Sequence, residues 1–181
     1  MIRKATIKDS EILANIISKS FSNVAKRFSL TKENCPTHPS NCTTHWVESD
    51  IVRGVQYFIL SVDGNPTGCV GLEIPNSEAC YLERLSVLPE LRGKGFGVFL
   101  VRYVLELAKT IKTPKVSIAI IDEQTELKEW YKYLGFNEIA TKIFKHLPFQ
   151  VCFMEFDFGK ATNQPVVRGA TIKNQITSKM L

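Results

Sequence analysis

The feature that most constrains the fold is a glycine-rich stretch, residues 91–97 (Leu-Arg-Gly-Lys-Gly-Phe-Gly), which we call the glycine loop. It follows a strand-like apolar run at residues 81–87 and precedes apolar residues at helical spacing over residues 98–111. Its three glycines let the backbone adopt positive φ angles and approach a ligand closely. Because N–H groups at a helix start converge with the positive end of the helix dipole, this order predicts an anion-binding loop suited to phosphates.

Two well-known phosphate loops do not fit this stretch. A Walker A loop needs Ser or Thr after a Gly-Lys pair, whereas Lys94 is followed by Gly95. A dinucleotide-binding fingerprint would need a third glycine where Val98 stands. A tight strand-to-helix turn without any ligand is the structural alternative. Arg92 and Lys94 would add charge-assisted contacts at the rim of a phosphate site.

The spacing Arg92-x-x-Gly95-x-Gly97 resembles the pyrophosphate loop of the GNAT superfamily, the acetyl-CoA-dependent N-acetyltransferases. Residues 81–89 (Tyr-Leu-Glu-Arg-Leu-Ser-Val-Leu-Pro) are similar to that family's fourth strand. Residues 130–136 (Trp-Tyr-Lys-Tyr-Leu-Gly-Phe) are similar to its Leu-Tyr-x-x-x-Gly-Phe helix end, and order and spacing agree over roughly residues 2–158. The resemblance implies an acyltransferase with acetyl-CoA as co-substrate, which acetylates a primary amine by direct attack in a ternary complex.

Size and hydropathy predict one globular domain. The chain has 181 residues, of which 44% are hydrophobic, enough for a substantial core. We predict a GNAT-like domain over residues 1–159 and a basic C-terminal tail over residues 160–181 that is flexible or docks on a partner. The tail has four basic residues and no acidic ones, so the rest of the chain carries only +1 of the net charge of +5. This distribution disfavours nucleic acid as a partner.

Compartment and partners follow from what the sequence lacks. No apolar run approaches the ~18 residues of a membrane span, and the N-terminal segment has no apolar signal region, which predicts a cytoplasmic protein without a membrane partner. A disulfide framework is disfavoured in a chain of this size and compartment, and the three of the five cysteines that lie in strand-like runs are interpreted as small buried hydrophobes. We expect acetyl-CoA and a small-molecule or protein amine as partners, no metal, and a homodimer as one compatible assembly.

The apolar pattern predicts a mixed α/β fold (α+β, with a mixed sheet). The resemblance makes it GNAT-like, with about seven strands, mostly antiparallel around a parallel central pair, and about four helices. The predicted strands are residues 2–7, 56–62, 67–74, 81–87, 116–121, 137–144 and 149–158. A first helix carries an apolar stripe from Ile12 to Phe21, residues 22–42 form a loop, and Thr43 or Thr44 caps a second helix that ends at Gly54. Residues 98–111 and 126–134 form the other helices.

The resemblance also assigns the cofactor site. It implies that backbone groups of strand residues 85–87 pair with the pantetheine arm like another strand, and that the Val87 N–H donates to the oxyanion. Gln124 stands where the family often has Asn, and the glycine loop holds the pyrophosphate. The predicted cofactor-binding residues are Leu85, Ser86, Val87, Arg92, Gly93, Lys94, Gly95, Phe96, Gly97 and Gln124.

The predicted catalytic residues are Tyr131 and Glu83. Tyr131 matches the family tyrosine that protonates the leaving sulfur; Tyr133 is its neighbour, and packing at a helix end is the alternative role. The acceptor amine is mostly protonated at neutral pH and needs a general base, for which Glu83 is the candidate. Glu73 and His45 are the next candidates for the base. The alternative role for Glu83 is that of a solvated or salt-bridged residue on the surface of the strand. Strand alternation predicts Glu83 on the same face as Leu85 and Val87.

A second distinctive stretch contains Cys35, His38, Cys42 and His45. These residue types are zinc ligands, but the central spacer of three is far shorter than in a usual zinc finger, and a polar loop is the alternative. In the resembling family this region helps to wall the acceptor site. Two other functions therefore stay open: a catalytically silent acyl-CoA-binding module and a zinc-stabilised interaction protein.

Overall fold

The computed structural model describes residues 1–161, so all of the predicted tail except its first two residues lies outside the described residues. Seven strands form one sheet in the order β1-β2-β3-β4-β5-β7-β6. The strands are β1 (Ile2–Lys4), β2 (Gln56–Val62), β3 (Asn65–Glu73), β4 (Cys80–Val87), β5 (Lys115–Ile121), β6 (Asn137–Ile143) and β7 (Gln150–Asp157). The helices are α1 (Ser10–Arg27), α2 (Thr44–Arg53), α3 (Phe96–Thr110), α4 (Thr125–Tyr133) and the single turn α5 (Phe158–Ala161).

The central pair β4–β5 is parallel, and the other neighbouring strands of this sheet are antiparallel. The predicted fold class is therefore confirmed. The two parallel strands pair only at Cys80–Val116 and Tyr81–Ser117. Past these residues β5 stays paired with β7 along its length while β4 stays paired with β3. The sheet therefore opens between the carboxyl ends of β4 and β5.

A β-bulge lies in the middle of β4. Ser86 pairs with Cys69 and Glu83 pairs with Gly71, so β4 has one more residue than β3 over this interval. Arg84 takes a positive φ of 50° there. The prediction that Glu83 shares a face with Leu85 is wrong, because the extra residue breaks the alternation: Glu83 lies beside Arg53 on the α2 side, whereas Leu85 packs with the α3 core.

Helices cover both faces of the sheet at β2 and β3, and β5 is a central strand as predicted. The prediction that β5 is covered on both faces is wrong, because Val116 and Ile118 are buried in the α3 core whereas Ser117 is half-buried and Ala119 is exposed beside the cleft. On one face, α3 buries Leu100, Val101 and Val104 against Leu82 of β4 and Met154 of β7. The opposite face is covered by α1 and α2, whose buried side chains join those of β2 and β3. The second core consists of Leu13, Ala14, Ile16, Ile17, Cys42, Val47, Val55, Tyr57, Ile59 and Cys69.

The helix ends agree with the predicted signals except in α1. Thr43 accepts a hydrogen bond from the Trp46 N–H at 3.2 Å, and Gly54 ends α2 with φ 108°. Helix α1 continues to Arg27, six residues beyond the predicted end, because Val24 and Ala25 pack against a small core of Leu30, Cys35 and Ile121. Over the described part of the chain, no helix combines the length and the apolar character needed to cross a membrane.

Candidate active site

A cleft of about 580 Å³ occupies the opening between β4 and β5. From the α1 side it is lined by Phe21, His38 and Glu83, and from the α4 side by Leu127 and Tyr131. A ligand in the cleft would therefore contact groups from both faces of the sheet. This is the consequence of the short β4–β5 pairing, since a fully paired sheet would separate the two sets.

The glycine loop borders a second cavity of about 370 Å³. Gly93 and Gly95 have φ angles of 76° and 84°, and a Cβ placed on either would meet no atom within 4 Å. The Phe99 N–H donates to the Gly95 carbonyl at 3.0 Å, so the N–H groups of residues 96–98 precede the first helical hydrogen bond of α3. Open N–H groups at a helix start, with space in front of them, form the geometry that binds phosphate.

Three residues of this region have features that the sequence did not predict. Gly97 lies inside α3 without a positive φ, and a Cβ there would lie 3.4 Å from Trp130, which lines the second cavity. Arg92 lines the second cavity, and its guanidinium also donates from Nε to the Val87 carbonyl at 3.2 Å and from Nη2 to the Ser20 carbonyl. Arg92 thus ties the loop to β4 and α1. Nothing in the sequence singled out Trp130 as a wall of this cavity.

The backbone at the end of β4 faces the opening. The Leu88 N–H donates to the Thr67 carbonyl of β3 at 3.0 Å. Because successive N–H groups of an extended chain point to opposite sides, the Val87 N–H points away from β3 and toward the gap. Arg92 donates to the Val87 carbonyl and also lines the cleft, which agrees with this direction. Gln124 reaches the cleft from the start of α4, where its own N–H donates to the Ile121 carbonyl at 3.1 Å.

Tyr131 is buried at the α4 side of the cleft. Its ring packs edge-to-face on Trp130 and Phe136, with centroids at 4.9 and 5.3 Å. Within residues 1–161 its hydroxyl makes no hydrogen bond, and burial raises its pKa, so the phenol is protonated at neutral pH. Tyr133, by contrast, is 68% exposed and does not line the cleft. The structure thus separates the two neighbouring tyrosines.

Glu83 faces the cleft from the α1 side, with its side chain 27% exposed. Burial and the carboxylate of Glu73 raise its pKa to about 7, while Arg53, 4.0 Å away, opposes the shift. Arg53 also pairs with Glu73 and, at 3.0 Å, with Asp50. Glu83 is therefore partly ionised at neutral pH, which suits a general base. Glu73 influences this base without lining the cleft, and His45 is 91% exposed beside Glu48.

Residues 20–136, more than half of the chain, match the model of the acetyltransferase (GNAT) family. The chain belongs to the acetyltransferase (GNAT) family. This confirms the predicted family. An uncharacterized N-acetyltransferase of Methanocaldococcus jannaschii is 31% identical over 88 residues, 45% of this chain. The match spans only 39% of that relative's own length.

Solved GNAT structures share the fold. The PaiA N-acetyltransferase of Thermoplasma acidophilum, in complex with coenzyme A, has a TM-score of 0.73 at 19% identity, over 87% of this chain and 98% of that one. A ribosomal-protein-alanine N-acetyltransferase of Brucella melitensis has a TM-score of 0.65 at 20% identity, with 87% and 99% covered. The putative acetyltransferase yncA of Salmonella typhimurium, with its cofactor acetyl-CoA, has a TM-score of 0.64 at 17% identity, with 87% and 92% covered.

A buried cation beside Glu83 escaped the sequence analysis. Arg84, at the bulge of this GNAT domain, pairs with the buried Asp50, donates to the Tyr57 hydroxyl, and lies 4.8 Å from the Trp46 ring centroid. The network fixes α2 to β4 where the bulge sets the direction of Glu83. No glycine marks the bulge, so no local signal in the sequence predicted it.

The four residues of the zinc alternative are not brought together. Cys35 packs beside Leu30, whereas Cys42 belongs to the core under α1 and α2. The His38 Nδ1 is 2.8 Å from the Ser40 hydroxyl, and His45 is exposed. Among residues 1–161, the one trio of clustered ligand types lies elsewhere, at Asp122, Glu138 and Cys152, and the Lys128 ammonium pairs with its two carboxylates. The zinc-stabilised interaction protein therefore finds no support in the described geometry.

A chelator should leave the thermal stability unchanged. If zinc linked Cys35 to Cys42, removing the ion would lower Tm, because metal binding contributes folding free energy. The buried thiols already stabilise the protein by packing, so EDTA and a zinc-specific chelator should each shift Tm by less than about 1 °C in scanning fluorimetry. Substituting both cysteines is a poor test, since it also changes packing. A chelator-dependent fall in Tm that added zinc reverses would contradict this expectation.

Proposed function

We propose that the protein transfers an acetyl group from acetyl-CoA to the nitrogen of a primary amine by direct attack in a ternary complex. The observation that carries the proposal is the cleft between β4 and β5, which Glu83 and Tyr131 line from opposite faces of the sheet. Arg92 lines both this cleft and the cavity of the glycine loop, so a long cofactor can occupy both. The coenzyme A and acetyl-CoA in the solved relatives support the choice of cofactor.

The residues of the chain divide into those that bind and those that move protons. The N–H groups of Gly93–Gly97 would hold the pyrophosphate, with the exposed Lys94 at its rim, and the backbone of Leu85, Ser86 and Val87 would pair with the pantetheine arm. Gln124 borders the same arm. The outward Val87 N–H would stabilise the oxyanion by roughly 3 kcal/mol.

Proton movements complete the proposed reaction. Glu83 accepts a proton from the substrate ammonium, and the amine nitrogen then attacks the thioester carbonyl carbon. When the tetrahedral intermediate collapses, the carbon–sulfur bond breaks and the Tyr131 hydroxyl donates its proton to the sulfur. The nitrogen then loses its second proton, by way of water, to the Tyr131 phenolate, and Glu83 returns its proton to solvent. The products are an amide and free coenzyme A.

The proposal is tested by thiol release from acetyl-CoA in the presence of a panel of amines. Thiol must form together with an equal amount of acetylated amine. The alternative, a catalytically silent module, would bind acetyl-CoA in calorimetry and release no thiol with any amine. Tyr131 and Glu83 in one cleft support the enzyme over the module.

Residues 1–159 would form the catalytic domain, and the five unpaired thiols support the predicted cytoplasmic location.

The pH dependence of kcat/KM should reflect the ionisation of the Glu83 carboxyl group. Because the carboxylate is the active form, kcat/KM should rise as a group of pKa about 7 ionises. Glu83→Gln should remove this step and lower kcat/KM by about 10²-fold at neutral pH, leaving only the rise due to the free amine. Rate profiles from pH 5.5 to 9 give the measurement.

Two neighbouring variants shift the same profile in opposite directions. Glu73→Gln removes a carboxylate that raises the pKa of Glu83, so the rise should move to lower pH. Arg53→Met removes a cation that lowers it, so the rise should move to higher pH. A profile that keeps its step near neutral pH in Glu83→Gln would assign the base to another group.

A further inference from the structure

His38 is a buried histidine on the α1 side of the cleft, and hydrogen bonds hold its backbone in place. It is 6% exposed and begins the 3₁₀ turn Pro39–Asn41. Its N–H donates to the Cys35 carbonyl at 3.0 Å, and its own carbonyl accepts from the Asn41 N–H at 2.9 Å. The Cys35 side chain is buried in the small core around Leu30. The imidazole is therefore positioned by a loop that is anchored to the core.

The hydrogen bonds of the His38 ring determine its tautomer. The Ser40 N–H donates to Nδ1 at 3.3 Å, and the Ser40 hydroxyl lies 2.8 Å from the same atom. A ring nitrogen that accepts from a backbone N–H carries no proton, so the hydrogen of the neutral imidazole is on Nε2. Burial lowers the pKa of His38, which keeps the ring neutral at pH 7. His38 thus offers one N–H donor, at Nε2.

The Nε2 atom has no protein partner, but it is not sealed inside the core. Within residues 1–161 it makes no hydrogen bond and pairs with no carboxylate. In this part of the chain the Ser20 Oγ is the one fully buried side-chain nitrogen or oxygen without a partner, so Nε2 retains accessible surface. His38 lines the cleft, and the Phe21 ring packs edge-to-face on it with centroids 5.8 Å apart. Because Nδ1 faces Ser40, Nε2 is the ring nitrogen that opens into the cleft.

A ligand that fills this part of the cleft must supply an acceptor for the Nε2–H. Water can serve the donor in the free protein, but a ligand that excludes water and offers no acceptor would leave a buried N–H unpaired, which costs free energy. The walls beside it, formed by Phe21, Val24 and Pro39, are apolar and provide no substitute. An ammonium group has only donors, whereas a carbonyl or carboxylate oxygen accepts.

The charges of the lining are compatible with either kind of oxygen. Arg84 is paired with the buried Asp50, whereas Arg92 lines the cleft as a cation without an acidic partner in residues 1–161. A ligand carboxylate would therefore meet a cation here. A neutral carbonyl would be received as well, because the His38 donor carries no charge.

We infer that the acceptor amine carries a carbonyl or carboxylate oxygen a few bonds from its nitrogen, and that the His38 Nε2–H donates a hydrogen bond to this oxygen while Glu83 receives the amino group. This inference rests on the proposed acetyl transfer and specifies its acceptor. The short spacing follows because both side chains line the same side of one cleft of about 580 Å³. An amino acid and an amino acid amide share this chemistry, and the experiment distinguishes them.

The first experiment compares three amines that share one aromatic body. Phenylalanine amide has a neutral carbonyl, phenylalanine has a carboxylate, and phenethylamine has neither. At saturating acetyl-CoA, kcat/KM for the better of the first two should exceed that for phenethylamine by at least about tenfold. Either order between the amide and the carboxylate supports the proposal and identifies the oxygen. Equal or faster turnover of phenethylamine would overturn the acceptor class while acetyl transfer stands.

The second experiment replaces His38 with asparagine, which removes the Nε2 donor and keeps the turn. The asparagine oxygen can accept from the Ser40 N–H as Nδ1 does, so Tm should change little. The preference for phenylalanine amide over phenethylamine should fall about tenfold, because only the amide loses a hydrogen bond. Each amine is compared with itself, so differences in amine pKa cancel. His38→Gln, which returns a side-chain N–H near the Nε2 position, should restore part of the preference.

His146→Asn is the matched control, since His146 is exposed and lies outside the cleft lining, and it should leave the preference unchanged. A preference that survives in folded His38→Asn protein would show that the ring does not contact the acceptor. A higher KM for acetyl-CoA with an unchanged preference would assign the donor to the cofactor instead. If His38→Asn does not fold, the comparison of the three amines decides. If protein that binds acetyl-CoA acetylates no amine, the proposed function itself fails.

Discussion

A glutamate at position 95 should weaken acetyl-CoA binding by about 10³-fold. Gly95 lies at the start of α3 with open space in front of its Cβ position, where the N–H groups of the glycine loop converge. A carboxylate there would face the cofactor phosphates at about 4 Å, which costs about 4 kcal/mol at an effective dielectric constant of 20. Each 1.4 kcal/mol is a factor of ten in affinity, and calorimetry with acetyl-CoA measures the loss directly.

The fold offers a matched control for the backbone strain of this change. Gly64, in the β2–β3 turn, has φ 79° against 84° at Gly95, and a Cβ there also meets no atom within 4 Å. Gly64→Glu therefore introduces the same side chain at the same kind of left-handed position outside the cofactor cavity, and it should bind acetyl-CoA normally. Gly95→Gln separates bulk from charge and should weaken binding less. If the Gly95→Glu protein folds and binds acetyl-CoA with unchanged affinity, the pyrophosphate does not bind at the glycine loop.

Local chemical signals made most of the fold predictable. The Thr43 cap and the Gly54 terminus follow from one side-chain oxygen and one left-handed backbone position, and both appear in the sequence. The nearly unbroken apolar run of β5 identifies a central strand, but it did not reveal that Ala119 is exposed beside the cleft. The predicted end of α1 was wrong because residues 22–27 are mostly polar, which is typical of the start of a loop. The helix continues through them because it packs against residues that are distant in the sequence.

The candidate site was less predictable where its geometry depends on tertiary contacts. The bulge at Arg84 takes a positive φ in a residue other than glycine, held by Asp50 and Tyr57 from other elements. Alternation along β4 therefore placed Glu83 on the wrong face, although its selection as a base candidate does not depend on that face. The charge of Arg92 predicted a place beside the phosphates, and its hydrogen bonds to the Val87 and Ser20 carbonyls could not be predicted, because they depend on how α1 packs beside β4.

Removing one oxygen atom, in Tyr131→Phe, should lower kcat by about 10²- to 10⁴-fold, the usual contribution of a positioned acid. The ring contacts with Trp130 and Phe136 remain, so the packing is preserved. The hydroxyl makes no hydrogen bond within residues 1–161, so its loss leaves no protein group without a partner. Acetyl-CoA affinity and Tm should therefore change little, which isolates the chemical step.

The raised pKa of Tyr131 does not disqualify it as the acid. Burial disfavours the phenolate, but a thiolate leaving into the same cleft is disfavoured for the same reason. The transfer depends on the difference between the two acids, and desolvation raises the pKa of both. The advantage of Tyr131 should thus be largest for a poor leaving group, and a thioester of a more acidic thiol should recover part of the lost rate.

Tyr133→Phe is the matched control for this experiment. It makes the same chemical change two residues away on α4, at a side chain that is 68% exposed and outside the cleft, so kcat should be unaffected. Single-turnover kinetics ensure that chemistry, and not product release, is measured. If Tyr131→Phe retains its single-turnover rate, the sulfur takes its proton from Tyr133 or from water. If Tm falls sharply instead, the hydroxyl is a buried structural partner that stabilises the fold, and the assignment of Tyr131 as the acid loses its support.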